Sequence, residues 1–279
     1  MKKSLFPLWR RRLPPPPAPD APADQLTFIF AHIPKCGGKT FTSILQRNFL
    51  KTHYHEESLI SFYPYTAKDV ASILRFRHTL RALSSHRLTL DLPWTTSPRP
   101  IRALVFLRDP VERALSTYFF VRAHPGIDAP AKHLSIEEFL RHDQPNCTNF
   151  QAQFLSAGQL TVPHIAELAR LGWAHLLPLE RFDDAMLALE RTYPANFTNC
   201  AYKILNQAPR DIPLDPAIRA RLQKANTKDN ALLALAHQHL DTLLARHFPT
   251  PAELANARAE FRRRCEVFCQ TFPPKTTQP

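Results

Sequence analysis

The chain has 279 residues, 44% of them hydrophobic, which is enough to bury the core of one large domain or two small ones. Its formal net charge of +12 favours an anionic partner: a nucleotide, a nucleic acid, an acidic glycan or a membrane surface. The five cysteines are odd in number and widely spread, which argues against a full disulfide framework, and their spacing does not support a zinc site.

The first 25 residues form a basic, proline-rich leader that we expect to be disordered. It lacks the continuous apolar core of a signal peptide, and no later apolar run is long enough to span a bilayer. We therefore expect a cytoplasmic bacterial protein, with a weak peripheral contact between the basic N-terminus and anionic lipid as the alternative. The expected domain covers residues 26–272, and residues 273–279 are expected to be a disordered tail.

The first predicted element is a buried strand over residues 26–33, where Phe and Ile predominate. A helix is predicted over residues 39–50, because apolar residues recur there at helical spacing. Pro34 ends the strand, and Gly37 and Gly38 let the backbone turn sharply between the two elements.

This turn has the composition of a phosphate-binding loop. Loop amides and a helix dipole attract anions, while Lys35 and Lys39 add positive charges. The stretch Gly38-Lys39-Thr40 matches the end of a Walker A motif, but Ile33 stands where that motif needs its first glycine. The predicted ligand contacts of the loop are Lys35, Cys36, Gly37, Gly38, Lys39, Thr40 and Phe41.

The next stretch is predicted to be a polar loop over residues 51–64, which contains His53 and His55. Helical spacing of apolar residues then predicts a helix over residues 66–83. The sequence Ser84-Ser85-His86 interrupts that helix, and a proline-rich loop over residues 91–100 follows.

A second strand–turn–helix unit begins with a buried strand over residues 103–107. Pro110 suits the first turn of a helix and Asp109 is a suitable cap, so the turn presents Arg108 and the helix carries Ser116. Two such units in succession predict an α/β fold, in which helices flank a parallel sheet and ligand binds at the carboxyl ends of the strands.

The two turns resemble the phosphate motifs of carbohydrate sulfotransferases, the family that includes heparan sulfate 2-O-sulfotransferase. The first is similar to the family's Pro-Lys-Thr-Gly-Gly-Thr loop, which holds the 5′-phosphosulfate of 3′-phosphoadenosine 5′-phosphosulfate (PAPS); Cys36 and Lys39 depart from that pattern. The second resembles the 3′-phosphate motif, in which Arg108 and Ser116 would grip that phosphate. The resemblance implies a single sulfotransferase domain with a P-loop-like sheet, PAPS as co-substrate and no metal.

Weaker similarities extend this resemblance over residues 26–248. Asn149-Phe150-Gln151 is similar to an Asn-x-Gln helix of the family, and Asn226 with Asp229 is similar to the start of a late helix that includes residues 234–247. Residues 177–182 resemble a short strand before a helix over residues 183–191, and a basic terminal helix is predicted over residues 253–272.

The resemblance also implies two catalytic roles. Lys35 would stabilise the negative charge on the departing 3′-phosphoadenosine 5′-phosphate (PAP), and a histidine shortly before the second strand would act as general base. His86 matches that position, with His53 and His55 as runners-up.

Three functions are compatible with these sequence features. The leading one is transfer of a sulfuryl group from PAPS to a carbohydrate hydroxyl, with the acceptor contacted by residues 51–65, 87–100 and 122–146. The second is a P-loop kinase that uses ATP-Mg, and the third is a non-enzymatic protein that binds nucleic acid or membrane through basic residues. The sequence contains no recognisable nucleic-acid module, so we expect no specific nucleic acid as partner. A carbohydrate or glycan acceptor is the partner that the resemblance implies.

Overall fold

The computed structural model of the chain describes residues 25–56, 63–123, 130–142, 144–157, 160–205 and 214–272. The predicted leader, apart from Gln25, and the predicted tail lie outside these residues. Within the described ranges, no helix combines the length and the apolar character needed to cross a membrane.

Helices surround a central sheet of five strands in the described part of the chain. The strands are β1 (Thr27–Ala31), β2 (His53–Glu56), β3 (Ala82–Ser85), β4 (Ile101–Leu107) and β5 (Ala174–Pro178). The helices are α1 (Gly38–Phe49), α2 (Ala67–Phe76), α3 (Pro110–Ala123), α4 (Ile136–His142), α5 (Gln144–Cys147), α6 (Phe150–Ser156), α7 (Val162–Arg170), α8 (Phe182–Thr192), α9 (Pro216–Ala225), α10 (Thr227–His247) and α11 (Pro251–Thr271).

The strand order is β2-β3-β1-β4-β5, and every neighbouring pair is parallel. The chain leaves β1 for β2 and β3 on one side and then crosses to β4 on the other side. Ligands of open parallel sheets bind where the direction of strand placement switches, outside the carboxyl ends of the strands. In this sheet that point lies at the end of β1, between the loops that follow β3 and β4.

Aromatic side chains anchor β1 in the core. Phe28 and Phe30 are at most 1% exposed, and Phe30 packs edge-on against Phe41 of α1 with ring centroids 4.8 Å apart. Phe106 of β4 lies 4.9 Å from Phe41, so rings from two strands and a helix interlock. Burying such large side chains stabilises the strand–loop–helix unit and holds the start of α1 against the sheet.

The structure confirms the predicted parallel sheet flanked by helices and most element positions, including both predicted strand–turn–helix units. Asp109 caps α3 as expected, because its Oδ1 accepts the Glu112 amide at 2.9 Å.

The prediction of a helix over residues 66–83 was wrong at its end. A capping box of Thr66 and Asp69 starts α2, but the helix ends at Phe76, and residues 82–85 form the buried strand β3. β3 consists of Ala, Leu and two Ser residues, which carry little strand propensity; its pairing with β1 and β2 decides its conformation.

The predicted polar loop over residues 51–64 was also partly wrong, because β2 occupies His53–Glu56. Its polar side chains show no apolar strand pattern, yet the strand pairs with β3 at the edge of the sheet.

A buried polar network lies toward the amino ends of β4 and β5, away from the switch point. The His175 ring is bonded to the Tyr193 hydroxyl at 2.6 Å and to Nε2 of His239 at 3.0 Å. Burial, with the charge of His239 second, lowers the pKa of His175 well below its usual value. Burial, followed by the charge of Arg246, lowers the pKa of His239 to about 4. Both rings are therefore neutral in the folded protein near neutral pH.

The free energy of unfolding is expected to fall as pH drops from about 6.5, the ordinary histidine pKa, toward 4. In that window the unfolded chain protonates His175 and His239 while the folded protein keeps them neutral, so protons favour the unfolded state. Urea denaturation across this window should give a shallower pH slope for His239→Gln than for wild type. His237→Gln on the same helix is the control, and equal slopes for all three proteins would contradict the assignment.

Candidate functional site

The loop after β1 delivers the chain into the N-terminus of α1 through two left-handed residues. Lys35 has a φ of 69° and Gly37 a φ of 75°, and the Cys36 amide donates to the Ile33 carbonyl at 3.3 Å. Gly37 is the N-cap residue of α1, and no side chain among the described residues caps that helix end. The first amides of α1 are therefore oriented toward the loop, the arrangement in which a helix N-terminus binds an anion.

Glycine is favoured at position 37 by the left-handed backbone and at position 38 by close packing. A Cβ on Gly37 would lie 2.5 Å from Cδ1 of Leu179. A Cβ on Gly38 would lie 1.5 Å from Nε2 of His32, because the His32 ring packs directly against the start of α1. His32 is 5% exposed and lies 3.9 Å from the His86 ring, measured between centroids. The His32 ring thus lies between the loop after β1 and His86, the predicted base.

The loop after β4 lies beside the loop after β1. Nη1 of Arg108 donates to the carbonyl oxygen of Lys35 at 3.1 Å. The Asp109 amide donates to Oε1 of Glu180 at 2.7 Å, which holds the same turn from the β5 side. The structure thus brings together the two turns that the sequence places 73 residues apart.

Ser116 lies two turns into α3 and is half-buried. Phe120 follows it by four residues, so the two side chains share a face of the helix. Nζ of Lys35 lies 3.9 Å from the centroid of the Phe120 ring. The Lys35 side chain therefore points toward the face of α3 that carries Ser116.

Three positively charged side chains, those of Lys35, Lys39 and Arg108, lie close together in the loops after β1 and β4. Burial, followed by the charges of Arg108 and Lys39, lowers the pKa of Lys35 to about 8. Like charges that are held together and partly removed from water favour an anion between them, because the anion relieves their repulsion. The electrostatics of the two loops therefore suit a ligand with more than one negative group.

Three of the predicted loop contacts have side chains directed away from the loop surface. Cys36 is 1% exposed, and burial raises the pKa of its thiol to about 12, so the thiol is neutral. The Thr40 hydroxyl accepts the Leu205 amide at 3.2 Å. Phe41 is fully buried, and its amide donates to the Gly37 carbonyl, so its contribution is to packing. Lys39, in contrast, is exposed at the start of α1.

His86 follows β3 directly, on the other side of β1 from Arg108. Its Nδ1 lies 2.7 Å from the His32 carbonyl oxygen. A carbonyl oxygen only accepts hydrogen bonds, so Nδ1 must carry the proton, and in the neutral ring Nε2 holds the lone pair. His86 is thus fixed in the tautomer that a base acting through Nε2 requires.

His53 and His55 belong to β2, which lies on the same side of β1 as His86. Both rings bond to the hydroxyl of Ser84, each at 2.8 Å. Burial, followed by the charge of His55, lowers the pKa of His53 to about 4. In the described ranges, no three His, Cys, Asp or Glu side chains are arranged to hold a metal ion.

Sequence reasoning assigned no role to the side chain that holds the Arg108 turn. The Arg108 amide donates to Oε1 of Gln151 at 2.9 Å, and Nε2 of Gln151 donates to the Arg108 carbonyl at 2.8 Å. The similarity at Asn149-Phe150-Gln151 located this residue, but its partner lies 43 residues earlier in the chain. No local pattern connects the two positions.

A family model described as "Sulfotransferase family" matches residues 22–165, more than half of the chain and a range that contains both loops, His86 and Gln151. The chain belongs to the sulfotransferase family. This family membership identifies it as an enzyme of sulfate transfer, in agreement with the leading prediction at that level. No curated protein gives a significant match to this sulfotransferase.

Two solved sulfotransferases align over most of the chain at low identity. One is a sulfotransferase from Alicyclobacillus acidocaldarius, with 16% identity and a TM-score of 0.41 over 78% of this chain and 98% of its own. The other is the mouse sulfotransferase SULT7A1 complexed with PAP, with 12% identity and a TM-score of 0.36 over 88% of this chain and 90% of its own.

Gly38→Ala is expected to destabilise the protein by about 1–3 kcal/mol, the usual cost of forcing an extra methyl group into a packed site. The clash is with the His32 ring, so the same substitution in a His32→Ala background should cost much less. Urea denaturation of the two single variants and the double variant measures this coupling. An equal cost of Gly38→Ala in both backgrounds would show that His32 is not the limiting contact.

Proposed function

We propose that this sulfotransferase transfers the sulfuryl group of PAPS to a hydroxyl group of a carbohydrate acceptor. The observation that carries the proposal is the hydrogen bond between Arg108 and the Lys35 carbonyl, which places the two turns side by side. These turns resemble the 5′-phosphosulfate and 3′-phosphate motifs of carbohydrate sulfotransferases of the heparan sulfate 2-O type. A nucleotide with charged groups at both positions would contact both turns.

In the proposed donor site, each of the two turns would bind one of the charged groups of PAPS. The N-terminus of α1, the backbone of residues 36–40 and the lysines at 35 and 39 would hold the 5′-phosphosulfate. Arg108 and Ser116 would hold the 3′-phosphate, for which a guanidinium group offers paired donors. Cys36 would contribute only its backbone, since its thiol is buried and neutral.

The acceptor hydroxyl would be activated on the other side of β1, where His86 presents Nε2. In the reaction, the acceptor oxygen forms a bond to sulfur as the bond between sulfur and the bridging oxygen of PAPS breaks. The acceptor proton moves to Nε2 of His86, and negative charge develops on the departing PAP. Lys35 would stabilise that charge, and an anion beside it would favour its protonated form.

A carbohydrate acceptor is supported by the resemblance and by the net charge of +12, which favours an acidic glycan. Of the stretches proposed to contact it, residues 51–65 include β2, residues 87–100 follow β3, and residues 122–146 begin at the end of α3. Residues 57–62, 124–129 and 143 of these stretches lie outside the described ranges. The P-loop kinase alternative needs a Walker A motif, and the first glycine of that motif is missing here. Ile33 occupies its position and is 1% exposed in the core.

PAP is expected to stabilise the folded protein far more than ATP-Mg does, because ATP has no 3′-phosphate for Arg108 and Ser116. A ligand at a hundredfold excess over its dissociation constant adds about 2.7 kcal/mol to the free energy of unfolding. Thermal denaturation with each nucleotide measures the difference, and Arg108→Ala should remove most of the preference for PAP. Equal stabilisation by the two nucleotides would instead favour the kinase.

His86→Ala is expected to keep PAP affinity and to lower sulfuryl transfer by roughly 10²–10⁴-fold, the usual contribution of a general base. Affinity should survive because the base contacts the acceptor and not the nucleotide. Calorimetry with PAP and transfer of labelled sulfate to a panel of glycans measure the two effects. His78→Ala, at an exposed histidine before β3, is the matched control.

Near-normal transfer by a folded His86→Ala protein would remove His86 from the base position. His53 and His55 would then be the next residues to substitute. Lys35→Ala provides a contrast, since it should weaken both PAP binding and turnover.

A further inference from the structure

We propose that Gln151 and Asp229 are positioning residues that fasten the turn after β1 to the turn after β4 and so set the spacing of the two phosphate sites. The effect on a nucleotide rests on the function proposed above. The fastening itself is a property of the described structure and can be measured without any nucleotide.

Gln151 is fully buried and contacts both turns through one amide group. Its Oε1 accepts the Arg108 amide at 2.9 Å, and its Nε2 donates to the Arg108 carbonyl at 2.8 Å. This pair of bonds holds the Arg108 backbone as a neighbouring strand would. The Cys36 thiol donates to the same Oε1 at 3.5 Å, so the turn after β1 is tied to the same atom.

Asp229 holds both the backbone and the side chain of Gln151 in place. Its carboxylate accepts the amides of Gln151 at 3.1 Å and Ala152 at 2.8 Å, and it lies 3.4 Å from Nε2 of Gln151. A carboxylate that is 0% exposed requires such partners, because unpaired buried charge is strongly disfavoured. The side chain of Gln151 is thereby held in the one orientation that presents its oxygen to both turns.

Arg113 supplies a compensating charge in the same layer. It is 2% exposed on α3, and its guanidinium stacks on the Phe150 ring at 4.1 Å from the centroid. Burial raises the pKa of Asp229, while its hydrogen bonds and the charge of Arg113 oppose that shift. Asp229 therefore belongs to a buried polar layer directly beneath the two turns.

Two helix N-termini hold this layer in place by capping each other. Asp229 near the start of α10 accepts the first amides of α6, and Asn149 before α6 accepts the Lys228 amide of α10 at 2.8 Å. The Asn149 amide in turn donates to Oδ1 of Asn226 at 2.7 Å. Because each helix end satisfies the other, the carboxylate of Asp229 has little freedom to move.

The consequence for ligand binding is geometric. If Gln151 is removed, the Arg108 backbone loses two bonds and Cys36 loses one. Nη1 of Arg108 still donates to the Lys35 carbonyl, but that bond runs through a long side chain, so the spacing of the two turns is restrained less. A nucleotide with two phosphates needs both turns at a set distance, whereas one with a single 5′-phosphate needs only the first. Loss of the fastening should therefore reduce the preference for PAP over AMP.

The test compares Gln151→Met with Gln153→Met in the full-length chain. Gln153 is exposed on the same helix and bonds to the Thr148 carbonyl, so it receives the same chemical change outside the polar layer. Calorimetry gives the ratio of the AMP and PAP dissociation constants for each protein. Gln151→Met is expected to reduce that ratio by roughly 10- to 100-fold, the scale of a lost charge-assisted hydrogen bond, and Gln153→Met should leave it unchanged.

Gln151→Glu adds a readout that a role in overall stability would not produce. The new carboxylate cannot donate to the Arg108 carbonyl, but its protonated form can, and the nearby carboxylate of Asp229 favours protonation. The preference for PAP, relative to wild type at the same pH, should recover as pH falls for Gln151→Glu and stay low for Gln151→Met. Asp229→Asn should lower the preference at every pH.

Hydrogen exchange of the ligand-free proteins separates this proposal from the proposed function. Amides of residues 35–38 and the Arg108 amide should both exchange faster in Gln151→Met and at the wild-type rate in Gln153→Met. If wild type binds no PAP but both turns still loosen together, the proposed function fails and the fastening stands. If the PAP preference of wild type persists in Gln151→Met, or if only one turn loosens, the fastening is wrong.

Discussion

The position of β1, with a parallel neighbour on each side, determines where the loops of this sulfotransferase meet. β3 and β4 flank it, so the turns after all three strands emerge next to one another at one edge of the sheet. The interlocked rings of Phe30, Phe41 and Phe106 keep β1 and α1 in that position. The packing of these aromatic rings therefore determines where the strands end and where the charged turns that follow them begin.

The two neighbours of β1 contribute different chemistry to the same edge. The β4 side provides a guanidinium group, and with the lysines after β1 it forms a region of positive charge. The β3 side provides histidine rings that pack against each other and against the start of α1. A region of positive charge and a group of histidine rings therefore lie on opposite sides of the loop after β1, which is the arrangement that the proposed transfer from PAPS to a hydroxyl would use.

Local patterns predicted the parts of the site that depend on neighbouring residues. Glycine spacing, a proline and two lysines marked the turn after β1, and an apolar run followed by Arg108 and Pro110 marked the turn after β4. β3 escaped prediction because its Ala and Ser residues take their conformation from the strands on either side. The bond between Gln151 and Arg108 escaped because residues 43 positions apart share no local signal.

The reciprocal capping of α6 and α10 has a consequence for synthesis on the ribosome. The turns after β1 and β4 and Gln151 are translated first, and the carboxylate of Asp229 follows Gln151 by 78 residues. Until that residue leaves the ribosome, the start of α6 lacks its cap and Gln151 lacks its support. In a nascent chain that already contains both turns, the buried polar contacts of Gln151 are consequently incomplete until the second half of the chain docks.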